Sequence, residues 1–337
     1  MNSVSIKDMP DSIEKYQKII NEYNQEKKYE DIEFPAKTSS VGEKLVPFVD
    51  KWERPQGHTL FGGNTFSTDP RQGNIGDCYF VSAMSVAGQD NIEKAFLKNQ
   101  IQQKPETGAY IVRFYFLNDP VEVIVDDFLP KDGQGNWSFC KSDNGNKLWP
   151  MLLEKAYAKL HGGYEKIVAG KVSYALSEIT GGYPEELKLS TAQKNIDTFW
   201  NSLMKFKENG YLLGAGTPEN PMGDRAISDE GIIQGHAYAI LELDEFESER
   251  LIKLRNPHGN GGAEWRGDWS DNSFKWTEKA KKLLKPEAKE DGIFWMNLDD
   301  FVYEFKVLYV CRIFDPKLWK TVPTIEVSFF LFNRKPF

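Results

Sequence analysis

The sequence predicts an α+β fold in two lobes, helix-rich in the first and built from antiparallel strands in the second. Three observations carry that expectation. A chain of 337 residues is too long for one small core, at roughly 150 residues per domain. Helical periodicity dominates up to the glycine pair Gly181-Gly182, and short alternating strands dominate after it. The expected organisation is an N-terminal helical extension over 1–27, a first lobe over 28–180, a second lobe over 181–318 and a tail over 319–337.

Each element follows from local pattern. Residues 11–28 read as a helix, because Asp11 with Glu14 resembles a capping box and Ile13, Tyr16, Ile20 and Tyr23 form a stripe. Gly- and Pro-rich loops run from Phe34 to Arg71 and carry Gly62-Gly63. A short helix starts at Cys78, with Phe80, Ala83, Met84 and Ala87 on one face and Gly88 stopping it. Tyr110–Phe116 and Val121–Val125 alternate as strands, and Trp149–His161 is a helix closed by Gly162-Gly163. Downstream, Tyr211–Gly214, Ala237–Leu243, Leu251–Leu254, Phe294–Leu298 and Val307–Ile313 read as strands, with a helix over Asn195–Lys207. Lys279–Lys289 reads as a solvated helix end or loop, and the apolar tail Thr324–Phe337 must pack on something.

Composition narrows the class. Apolar residues at 40% and charged ones at 27% exclude a disordered or fibrous chain. With 42 basic and 50 acidic residues the net charge is −8, which argues against a nucleic-acid partner. No run reaches the ~18 apolar residues of a membrane span, and Met1–Pro10 has no hydrophobic signal core. Cys78, Cys140 and Cys311 form no C-x-x-C pair and cannot all be bridged, which reads as a reduced, cytoplasmic protein.

One constellation carries chemistry. Gln72-Gly73-Asn74-Ile75-Gly76-Asp77-Cys78 is a glycine-punctuated loop that delivers a cysteine to a helix N-terminus. The unpaired amides and macrodipole there favour an anion, so the thiol pKa is expected to fall. Gln72 is placed to donate an amide N–H to a developing oxyanion. Cys140 and Cys311 lack such surroundings. A nucleophilic thiol needs a base and an orienter. His236 opens one strand and Asn256 closes the next, and reflection about the polar stretch Asp244–Glu249 sets them nearly opposite. The order Cys78, His236, Asn256 matches a papain-like arrangement.

At these residues the sequence resembles the calpain family of calcium-dependent cysteine proteases. The matching segments are Gln-Gly-x-Ile-Gly-Asp-Cys at 72–78, Gly-His-Ala-Tyr at 235–238 and Arg-Asn-Pro at 255–257. Glu30–Pro35, Trp52-x-Arg54-Pro55, Leu148-Trp149 with Leu153–Lys159, and Gly292-x-Phe294-Trp295-Met296 extend the similarity over about 28–315. The resemblance implies a papain-like two-lobed cysteine protease core that cleaves proteins or peptides through an acyl-thioester on Cys78. It gives His236 the base, Asn256 the orienter, and Gln72 with the Cys78 amide the oxyanion hole.

The resemblance also implies two calcium ions that draw the lobes together. Asp69 and Glu165 match the first site, with loop carbonyls near Gly62 and Asn64, and this site is expected to be filled. Glu264, Asp271 and Asp291 match the second, weakened because Ile293 stands where the family has another acid. His258 replaces the family's usual Trp beside the catalytic Asn-Pro, Tyr79 replaces the Trp after the cysteine, and Gly259–Gly262 carries a two-residue extension. The chain is too short for the β-sandwich and EF-hand domains that often follow such a core, so a core-only or truncated member is expected, its regulatory domain or subunit unspecified. Two other readings remain: a catalytically quiet regulatory or peptide-binding module, and a transglutaminase-like acyl transferase.

Overall fold

The computed structural model describes residues 12–61, 67–89, 101–116, 119–143, 146–259 and 263–314. The Asp11 half of the capping box, the carbonyls near Gly62 and Asn64, Asn260–Gly262 and the tail from 315 onward lie outside the described residues. Among the described residues, no helix is long and apolar enough to cross a membrane.

The first lobe wraps small sheets around helices. Strands β1 (Lys51–Glu53), β2 (Pro70–Arg71), β3 (Ile101–Lys104), β4 (Ala109–Phe116), β5 (Asp119–Asp126), β6 (Leu129–Lys131) and β7 (Lys141–Ser142) form a three-stranded β3-β4-β5 sheet and two pairs, β1-β6 and β2-β7. Helix Cys78–Ala87 is buried along its whole length from Tyr79 to Ala87. The expected single apolar stripe is therefore too narrow a description: this helix is surrounded on every side. Its two serines are satisfied internally, Ser82 Oγ donating to the Ala237 carbonyl at 3.1 Å and Ser85 Oγ to that of Val81 at 3.1 Å. Phe80 stacks on Tyr157 of helix Trp149–His161 with ring centroids 3.9 Å apart. That helix has the bounds expected, because Gly162 at φ 90° supplies the left-handed cap.

The second lobe is one antiparallel sheet. Strands β8 (Tyr183–Lys188), β9 (Leu212–Gly216), β10 (Ala237–Phe246), β11 (Glu249–Arg255), β12 (Ile293–Asn297) and β13 (Val307–Arg312) pair in the order β12-β11-β10-β9-β13-β8. Helix Ile196–Glu208 starts at Asn195, whose side chain accepts from the Thr198 amide. Helices Val172–Thr180, Glu278–Leu284 and Leu298–Glu304 were not anticipated as such; the second turns the expected Lys-rich surface segment into a helix that buries Ala280 and Leu284.

The β10–β11 hairpin corrects the sequence arithmetic. Its turn is tight, Glu247-Ser248 between Phe246 and Glu249, with Glu247 at φ 57°. A bulge between Ile240 and Glu242 then shifts the register, and the ladder ends at Ala239 opposite Arg255. Continued outward, that register sets His236 against His258, so His236 meets Asn256 by a side-chain diagonal. The main core crosses from lobe to lobe: Val81, Met84, Leu176 and Ile179 share one apolar cluster with Leu212, Ala237, Ala239 and Cys311.

Candidate active site

The nucleophile loop is shaped by backbone contact. A side-chain carbon on Gly73 would lie 2.1 Å from the Phe139 carbonyl oxygen, so only glycine lets the loop pass. The neighbouring Asn74 amide donates to the Ser138 carbonyl at 2.8 Å. The chain then turns at Asp77 and presents Cys78 as the first residue of its helix, where backbone amides have no intrahelical acceptor.

On the facing strand, Gly235 takes φ 59° before His236. Thr217 clamps the His236 backbone: the His236 amide donates to Thr217 Oγ1 at 2.9 Å, and the Thr217 amide donates to the His236 carbonyl at 3.0 Å. The imidazole is buried at 3% exposure, and its Nε2 lies 3.0 Å from Asn256 Oδ1. Two further bonds fix the Asn256 amide: its Nδ2 donates to the Ala263 carbonyl at 2.9 Å, and its Oδ1 accepts from the His258 amide at 3.1 Å. The atom facing Nε2 is thus an acceptor, so Nε2 carries the proton and Nδ1 carries the lone pair. Nδ1 is buried and has no hydrogen-bond partner among the described residues.

The thiol lies against the residue after that histidine. Backbone groups of Ala237 and Tyr79 hydrogen-bond to Cys78 and pull its pKa down, yet burial outweighs them and pushes it up to about 12, with Asp77 adding repulsion. The expected fall is therefore reversed, because desolvation exceeds the pull of the helix N-terminus. His236 is pushed down to about 3 by burial first and by His258 second, with Asn256 opposing. Burial thus disfavours charge on both the Cys78 thiol and the His236 imidazole. Gln72 is buried; its Nε2 donates to the Ile75 carbonyl at 2.7 Å, and its second amide N–H makes no hydrogen bond among the described residues.

The acids divide into two settings. Both oxygens of Asp69 accept from Lys147 Nζ, at 2.7 and 2.8 Å, and Trp149 Nε1 adds a bond at 3.2 Å. Glu165 instead accepts from the Lys44 amide at 3.3 Å and packs over Gly42. These two share no partner among the described residues, and a donor set already closed by an ammonium does not fit a calcium ion. Glu264, Asp271 and Asp291 fit better. Burial raises Glu264 to about 7 and Asp271 to about 6, and Asp291 adds repulsion to both. Glu264 and Asp271 line a cavity of about 540 Å³. Among the described residues no three such side chains are arranged to hold a metal ion, so a cation here would rest on fewer carboxylates, completed by carbonyls and water.

Three contributors escaped sequence reasoning. Arg255, buried, donates to the Thr68 carbonyl at 2.9 Å and Ser85 Oγ at 2.7 Å, tying the residue before Asn256 to the nucleophile helix. Its place in Arg255-Asn256-Pro257 was visible; its partners were not. Lys147 and Glu154 stand next to and within an apolar helix, a weak signal that only burial turns into a role.

A thiol heading a buried helix, met by the backbone of the residue after an asparagine-oriented imidazole in a two-lobed α+β core, fits the class of papain-type cysteine peptidases. Residues 29–312 match the calpain family cysteine protease profile, and the chain belongs to that family. It is similar to the calpain-type cysteine protease ADL1 of Oryza sativa subsp. japonica, 39% identical over 316 residues that cover 87% of this chain and 14% of that protein. Calpain-14 of Homo sapiens is 35% identical over 302 residues, covering 85% of this chain and 43% of that protein. The calpain-2 catalytic subunit of Mus musculus is 33% identical over 306 residues, with 85% and 43% covered. The chain thus spans about a seventh of the plant relative and less than half of the animal ones.

Proposed function

We propose that this chain is a calcium-responsive cysteine endopeptidase acting on proteins through an acyl-thioester on Cys78. The supporting observation is the buried His236 imidazole, tied through Nε2 to Asn256 and bare at Nδ1, one residue from the amide that meets the thiol. As a peptide enters, Nδ1 takes the thiol proton and the sulfur attacks the scissile carbonyl. The free N–H of Gln72 and the Cys78 amide receive the oxyanion. The imidazolium then protonates the departing amine, leaving the acyl-thioester. Water, deprotonated by Nδ1, attacks that carbonyl; the acid leaves and the thiol is restored. Asn256 holds the ring in the one tautomer that can do both transfers. Calcium, bound by Glu264, Asp271 and Asp291, would supply positive charge to these crowded carboxylates and tighten the loops beside Asn256 and Gly292.

Casein cleavage measured with calcium and with chelator tests this. Cys78→Ala should lower kcat by about 10⁴-fold or more, since such groups act as a unit. Calcium should raise wild-type activity, and Glu264→Gln should blunt that response. A catalytically quiet peptide-binding module is favoured by one observation, the absence of a hydrogen bond between thiol and imidazole. Wild type as inactive as Cys78→Ala with or without calcium, and a Cys78 alkylated no faster than a free thiol, would select that reading.

A further inference from the structure

The two acids expected to share one calcium ion each have a lysine instead, and at Asp69 the replacement is complete. Lys147 is set by its backbone: the Thr59 amide donates to the Asn146 carbonyl at 3.0 Å, and the Leu148 amide donates to the Thr59 carbonyl at 2.9 Å. From that position its side chain runs inward, with Lys147 only 5% and Asp69 only 1% exposed. The ammonium engages both carboxylate oxygens, and Trp149 covers the second of them. A divalent ion entering here would have to displace a buried, doubly bonded ammonium and leave it without its counter-charge. Glu165 has partners of its own: it accepts from the Lys44 amide at 3.3 Å, pairs with the Lys44 ammonium at 3.6 Å and packs on Gly42.

The knot reaches the catalytic residues. Asp69 precedes β2, whose Arg71 leads to Gln72, and the Gln72 amide donates to the Pro257 carbonyl at 2.9 Å. Arg255 grips the Thr68 carbonyl from the other lobe. We propose that the Lys147 ammonium is the resident cation of the Asp69 site, so that the segment carrying Gln72 is set without calcium and any calcium response arises in the second lobe alone. This rests on the reading of the chain as a calcium-responsive peptidase only in its last clause.

Calcium binding to the full chain, followed by titration calorimetry, separates the two. The variant Glu264→Gln/Asp271→Asn leaves the first lobe untouched. It should give no calcium heat up to millimolar concentration, while wild type binds one equivalent. Added to that background, Lys147→Met should create a site that binds one equivalent, and Asp69→Asn should abolish it again. Terbium should report the same gain through emission sensitised by Trp149. Calcium binding that persists in Glu264→Gln/Asp271→Asn and is lost on adding Asp69→Asn overturns the inference. So does a folded Lys147→Met chain that binds no more calcium than its parent. No heat from wild type leaves the Lys147 assignment standing and removes calcium from the proposed function.

Discussion

Asn256 Oδ1 is shared: it accepts from His236 Nε2 and from the His258 amide. That arrangement brings the two imidazoles to 4.7 Å between ring centroids at 35°. A second titratable ring therefore packs directly on the His236 imidazole. Burial lowers the pKa of His258, Arg71 lowers it further and Asp224 opposes both. At neutral pH His258 is therefore uncharged, and the transient imidazolium at His236 meets no like charge. On acidification His258 gains a proton and disfavours that imidazolium. His258→Phe should move the acid limb of kcat/KM to lower pH by roughly half a unit or more. The stability sign is the same. Both histidines have depressed pKa values when folded, so the unfolded chain binds more protons below about pH 6.5 and stability falls as pH drops through that value. Asp77 and Glu264, each raised to about 7, gain stability over the same interval. The informative quantity is thus the difference between melting temperatures of wild type and His258→Phe. Wild type should lose more between pH 7.5 and 5; equal losses and an unmoved acid limb would remove His258 from the titration.

Asp77, at the head of the helix that carries Cys78, has a second buried acid, Glu154, as its neighbour. Asp77 and Glu154 are both buried, and burial raises the pKa of each, Asp77 to about 7; repulsion from Asp77 raises Glu154 further, so Glu154 is held neutral. The Cys140 amide also donates to Glu154, at 2.9 Å. Glu154→Gln keeps an acceptor for Cys140 and brings no charge beside Asp77, and should cost about 1 kcal/mol. Glu154→Leu strands the buried Cys140 amide beside the Asp77 carboxylate, and should cost about 3 kcal/mol or more. Urea melts of the pair check this, and equal losses would mean that volume rather than the bond to the Cys140 amide matters. No sequence signal pointed to this pair, because two acids separated by half a lobe gain meaning only when folding buries them together. Elements with strong local punctuation were legible: Trp149–His161 ends where Gly162 caps it. Strand β8 was not, since Pro184, Glu185 and Glu186 break the alternation that a central strand would need. It lies at the sheet edge beside β13, where such residues are tolerated. Helix Val172–Thr180 carries its stripe at Val172, Ala175, Leu176 and Ile179, but Gly181, which the sequence offers as a lobe boundary, is the left-handed cap that closes it.

The order Cys78, His236, Asn256 was readable along the chain, but what holds the three in register lies in the seam between lobes. Ser82 Oγ donates to the Ala237 carbonyl, Gln89 Nε2 donates to the carbonyls of Ile240 and Leu241 at 3.1 Å each, and Arg71 Nε donates to that of His258 at 3.0 Å. Each joins the nucleophile side to the β10–β11 hairpin or the loop after it. Arg255 is the most demanding of these ties. Its guanidinium is fully enclosed, its pKa lowered by burial to about 10, and it satisfies Thr68 and Ser85 from one backbone position away from Asn256. Arg255→Met would fill much of the same volume while leaving that carbonyl and hydroxyl without the donor. Stability should fall by about 2–4 kcal/mol. Catalysis should suffer beyond what unfolding explains, because a small displacement of Asn256 tilts His236 away from the sulfur: kcat should drop about 100-fold while KM changes little. Kinetics at a temperature where the variant is fully folded, alongside the rate of Cys78 alkylation against pH, separate alignment from stability. A variant whose kcat matches wild type once folded, or one that raises KM alone, would show that Arg255 holds the lobes together without aiming the imidazole.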